Sequence, residues 1–82
     1  MIHIEVIGLD PPCEKCSQLL ENAQAAVAQA GVEAKIEKCW TLSEEILQKY
    51  GLLLSPALAI EGVVVVQGKV YKAERIAGLL AG

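Results

Sequence analysis

Apolar and polar residues alternate over the first eight positions, with Ile2, Ile4 and Val6 set against His3, Glu5 and Ile7. A period of two is that of a strand. Positions 8–12 read as a turn, and then the period changes. Leu19, Leu20, Ala23, Ala26, Val27 and Ala30 recur at spacings of three and four. That spacing predicts a helix from about Glu14 to Ala30 with one apolar stripe, stopped by Gly31. Pro11 and Pro12 suit its approach, because proline is tolerated in a first helical turn.

Val32, Ala34 and Ile36 alternate with Glu33, Lys35 and Glu37, a second strand with one wet face, as expected of a sheet edge. Cys39 ends it beside Trp40, and the same count places Cys39 on the wet face. Thr41-Leu42-Ser43-Glu44 fits a capping box and opens a short helix to about Tyr50, closed by Gly51. Ser55-Pro56 precedes Ala57–Ile60, whose unbroken apolar run suits a central strand covered on both faces. Glu61-Gly62 can turn this strand back into Val63–Gln67 as a hairpin. A last helix over Ala73–Ala81 turns Ile76, Leu79 and Leu80 inward. The order is β-α-β-α-β-β-α. Strands separated by helices predict parallel pairing through right-handed crossovers, with the hairpin adding an antiparallel edge. The expected class is α/β: a four-stranded mixed sheet with helices on both faces, one domain over residues 1–82.

Composition narrows the function. The chain has 82 residues, 54% of them hydrophobic, which is one small domain with enough apolar side chains for a core. Its net charge is −3 and its lysines and glutamates are interspersed, so no basic patch points to nucleic acid. The first ten residues read as a strand rather than a secretory signal, and no segment approaches the roughly 18 apolar residues of a membrane span. A cytoplasmic monomer without membrane or nucleic-acid partners is the expectation. Three cysteines in such a chain argue against a structural disulfide framework.

Two of the three, Cys13 and Cys16, stand where the first strand gives way to the first helix. Helical positions i and i+3 lie roughly 5–6 Å apart, and a disulfide needs Cα atoms about 4.4–6.8 Å apart, so the sulfurs can join with little backbone movement. Cys13 would meet a helix N-terminus, where free N–H groups and the macrodipole favour a thiolate. A close thiolate pair also suits soft metals such as Cu(I), Zn or arsenite. Heavy-metal-associated domains place a Cys-x-x-Cys after their first strand too. They follow the second strand with another strand, however, where this chain predicts a helix over 41–50. Structural zinc takes four ligands, and the chain offers only the three cysteines and a distant His3.

A Cys-x-x-Cys after the first strand, Ser55-Pro56 opening the third, a glycine-centred hairpin and a final helix together resemble a minimal thioredoxin fold. The likeness is to the small thioredoxin/glutaredoxin-like redox-active disulfide proteins and covers essentially the whole chain. It implies a thiol–disulfide oxidoreductase with no cofactor, whose partners are protein disulfides and an upstream thiol reductase. By position, Cys13 would be the attacking thiolate and Cys16 the resolving thiol. Pro56 would be a cis-proline facing the pair, and Ser55 would present its backbone to a substrate chain. Residues 68–74 lack the Gly-Gly that glutaredoxins use to hold glutathione. The buried acid of larger thioredoxins would fall near Ile7, so no carboxylate is expected there as a base for Cys16.

Other residues carry two readings each. Cys39 is either a small apolar side chain at a strand end or a third redox or metal-ligating thiol. Trp40 is a rim or core aromatic, or a wall beside the dithiol. Of Leu52, Leu53 and Leu54, some must enter the core and others could line a groove for an extended substrate. His3 reads as an ordinary strand histidine.

Overall fold

The elements follow the expected order: β1 (Ile2–Gly8), α1 (Glu14–Ala30), β2 (Ala34–Trp40), α2 (Glu44–Tyr50), β3 (Ala57–Ile60), β4 (Val63–Gln67) and α3 (Ala73–Ala81). The structure is a computed structural model and describes residues 1–9 and 14–81. The first cysteine, Cys13, and the expected turn at Asp10, Pro11 and Pro12 lie outside the described residues. None of the described helices is long and apolar enough to cross a membrane.

The sheet runs β2-β1-β3-β4. β1 and β2 pair in parallel from Ile2 opposite Ala34 to Gly8 opposite Trp40, the crossover that α1 predicts. The second connection departs from expectation. β3 does not lie parallel to a neighbour; it pairs antiparallel with β1, from Ile4 opposite Ile60 to Ile7 opposite Ala57. Length explains this. A parallel return must span the whole strand, and β2 has 7 residues, roughly 23 Å at strand rise. α2 also has 7 residues, only about 10 Å at helical rise. The chain therefore stays at the rim where β2 ended, and β3 starts there and runs back. Thr41, just after β2, and Leu53, just before β3, confirm the shared rim: the Thr41 hydroxyl donates to the Leu53 carbonyl at 3.3 Å.

Two cores follow from the alternation. Ile4 and Val6 point to one face, where they meet Leu19, Ala23 and Ala26 of α1, Leu58, Val66, and Ile76 and Leu80 of α3. Ile7 points to the other, with Ile46 of α2, Leu53, Ala57 and Ala59. Each full burial of a side chain such as Ile4 or Ile7 contributes about 1.5–3 kcal/mol. Helices cover both faces, as expected. α2 is capped by Ser43 rather than Thr41: the Ser43 hydroxyl accepts from the Ile46 amide at 3.3 Å, while Thr41 is buried. At the β3–β4 turn both Glu61 (φ 52°) and Gly62 (φ 80°) are left-handed, the two-residue geometry that matches strand twist.

Candidate redox site

Cys16 is the third residue of α1 and is 4% exposed. The helix stripe that buries Leu19 and Ala23 also turns Cys16 onto the end of β1. The strand ends there in Gly8, and the fit requires it. A Cβ on Gly8 would lie 2.7 Å from Cys16 Sγ and 3.1 Å from Cys16 Cβ. Gly8 does not have a positive φ, so the site uses its missing side chain and not its backbone freedom. A recess of about 30 Å³ opens beside the sulfur, lined by Gly8, Leu9, Cys16, Ser17, Leu20 and Lys38 among others. That is room for a water or two, not for a small-molecule substrate.

From the other side of β1 comes Pro56. Ala57 pairs with Ile7, so the next residues outward on these neighbouring strands are Gly8 and Pro56. The Ser55–Pro56 bond is cis. Pro56 is buried, and its carbonyl accepts the Gly68 amide at 2.9 Å. Thr41 braces the same corner, its amide donating to the Gly8 carbonyl at 2.8 Å. Cys16 and Pro56 thus converge on one glycine, with Ser55 half-buried one residue beyond. Cys13 immediately precedes Glu14, the first residue of α1, in sequence.

A family profile for the thioredoxin domain matches residues 2–81. The chain belongs to the thioredoxin-domain family. It is 33% identical to a thioredoxin of Methanothermobacter thermautotrophicus over 81 residues, covering 99% of this chain and all of the relative. A thioredoxin of Methanocaldococcus jannaschii is 32% identical over 76 residues, 93% of this chain and 83% of the relative. The mixed sheet between helices is a thioredoxin-like fold, and the family places the chain among thiol–disulfide redox proteins.

The third cysteine of this thioredoxin domain, Cys39, also borders the recess beside Cys16, but from another strand position. Cys39 pairs with Ile7 in the sheet and shares its face, opposite the one that carries Gly8 and Cys16. It is half-buried beneath α2 instead of lying on a wet face, and its thiol points to Glu5 Oε2 at 3.9 Å. Burial, with the negative charges of Glu5, Glu37 and Glu45, pushes the thiol up to about 11. A thiol held up in this way stays protonated at neutral pH. Among the described residues no group of three His, Cys, Asp or Glu side chains could hold a metal ion. Trp40 stands half-exposed at the rim, Leu53 is core, and Leu52 and Leu54 face outward. His3 is a partly exposed histidine with Nε2 3.4 Å from Glu37 Oε1.

The residue that sequence reasoning missed is Glu5. Ile7, near which larger thioredoxins would carry their buried acid, is buried, but two positions earlier on the same face Glu5 is only 3% exposed. It accepts hydrogen bonds from Lys49 Nζ at 3.0 Å and from the Tyr50 hydroxyl. Burial opposes its charge, but the bonds from Tyr50 and Lys49 and the Lys49 charge outweigh that and hold the carboxyl below its ordinary range. The available signal was topological. A strand at the centre of a sheet is covered on both faces, so a polar residue in its alternation must be buried.

Proposed function

We propose that this chain is a thiol–disulfide oxidoreductase that exchanges a Cys13–Cys16 dithiol with the disulfides of other proteins. The Cys13 thiolate attacks one sulfur of the partner's disulfide, which forms a mixed disulfide and releases the partner's other sulfur as a thiolate. Cys16, deprotonated, then attacks the Cys13 sulfur. The Cys13–Cys16 bond closes, and the partner leaves with both cysteines reduced. Two electrons have passed to the partner, and an upstream thiol reductase returns them to this chain. Because Cys16 is three residues from Cys13, the second step is effectively intramolecular.

The observation that carries this reading is the convergence of buried Cys16 and buried Pro56 on Gly8. A protein partner, rather than a small molecule, is favoured by the surroundings. The recess beside Cys16 is small, whereas Leu9, Trp40, Leu42, Leu52 and Leu54 are all exposed in segments that meet at this end of the sheet. Exposed apolar surface of that kind marks contact sites. An extended partner segment would lie beside Ser55, using its backbone as an added strand does.

The test is reduction of insulin disulfides by the reduced protein, together with intact mass. Oxidation is expected to lower the mass by two hydrogens in the wild type and not in Cys13→Ser. Cys16→Ser is expected to stall as a mixed disulfide with the partner. Full turnover by Cys16→Ala would show the resolving role to be wrong.

A further inference from the structure

Glu5 takes no part in the exchange as written. Gly8, which meets Cys16, lies three residues along β1, roughly 10 Å at strand rise, and faces the other way. Glu5 is therefore not a base in contact with Cys16. It nevertheless keeps a charge in a nearly solvent-free position, which is costly unless paired and hydrogen-bonded. Its partners, Lys49 and Tyr50, are the last two residues of α2.

α2 has little else to hold it down. Ile46 is its buried residue; Glu44, Glu45, Leu47, Gln48 and Lys49 are exposed. Past Tyr50 the chain turns at Gly51, whose φ is 78°, and runs through Leu52, Leu53 and Leu54 to Ser55 and Pro56. Leu53 is pinned by Thr41, and the Leu54 amide donates to Gln67 Oε1 at 3.1 Å. The start of this run is fixed where Glu5 grips Tyr50 and Lys49. We infer that Glu5 is a positioning residue for exchange with protein disulfides: by holding the C-terminal end of α2 it sets the 51–55 segment against which a substrate chain docks. This rests on the reading of Ser55 and Pro56 as the substrate edge.

The charged and titratable groups around Glu5 fit a holding role. α2 supplies Lys49 and Tyr50, with Glu45 also on that helix near Cys39; β2 supplies Cys39 as a thiol and Glu37; β1 supplies His3. β3 supplies none opposite it, since Glu5 pairs with Ala59. One cation and one phenol hold one oxygen of the carboxylate, and the Cys39 thiol faces the other.

The experiment compares wild type, Glu5→Gln and Tyr50→Phe on two substrates, insulin and the small aromatic disulfide 5,5′-dithiobis(2-nitrobenzoate). A small disulfide has no chain to lie along 51–55. Loss of a charge-assisted bond at Glu5 is expected to lower kcat/KM for insulin on the order of tenfold relative to the small disulfide, mainly through KM. Hydrogen exchange at amides 52–55 should rise in both variants while α1 is unchanged. Equal loss on both substrates, or none on either, overturns the positioning role, as does unchanged exchange at 52–55. Tyr50→Phe keeps the Glu5–Lys49 pair and so keeps the test open if Glu5→Gln does not fold. Should wild type reduce neither substrate, the proposed function fails; the exchange data then decide the role of Glu5 by themselves.

Discussion

Replacing Gly8 by alanine adds one methyl group at the point where the first turn of α1 touches the sheet. That Cβ would stand 2.7 Å from Cys16 Sγ and 3.1 Å from Cys16 Cβ, against a comfortable separation of about 3.5–4.0 Å for such atoms. The overlap is close to an ångström, and neither neighbour is the far end of a flexible chain. Relief requires the Cys16 sulfur to swing away or the first turn of α1 to lift, while Leu19 and Ala23 hold the next turns in the core. Overpacking of this kind costs about 1–3 kcal/mol. Alanine also restricts the unfolded chain, which returns about 0.4–1 kcal/mol. A net loss of about 1–2 kcal/mol is expected from these two terms. Urea unfolding of the reduced proteins, followed by circular dichroism, measures it. The control is the same substitution in a Cys16→Ala background, where the closer contact is gone and only the 3.1 Å contact remains. The cost should shrink there, and the difference is the coupling energy of the contact. Gly8→Ala within about 0.5 kcal/mol of wild type, or an equal cost in both backgrounds, would refute the claim that Gly8 is there to admit the sulfur.

Two further outcomes follow from the second face of the sheet. Glu5 has a folded pKa below its ordinary value of 4.5, burial being outweighed by Tyr50 and Lys49; its stabilisation is complete above that value and is lost as pH falls through the lowered one. Unfolding free energy measured from pH 6 downward should therefore fall more steeply in wild type than in Glu5→Gln, and parallel curves would contradict the assignment. Cys39, with its thiol pushed up to about 11 by burial first and then by nearby carboxylates, should resist iodoacetamide at pH 7.5 in the folded protein. Rapid labelling of Cys39 without unfolding would show that it is not held as described.

Much of this protein is legible residue by residue. Strand and helix follow from the change of hydrophobic period between β1 and α1, the hairpin from Glu61-Gly62, and the helix stop from Gly31. Each depends on residues a few positions apart, whose geometry is set by local sterics and backbone hydrogen bonding. The tertiary structure decided the rest. α2 is too short to return across the sheet, so β3 runs antiparallel to β1, and this alone brings Pro56 beside Gly8. Gly8 looks like a turn residue until the Cys16 sulfur is seen against it. Cys39 counts onto a wet face, and Glu5 is one polar residue in the alternation of β1, until α2 lies over them and delivers Tyr50 and Lys49. Burial and charge pairing depend on which distant segment lands on a surface, and that is settled only when all the layers pack at once.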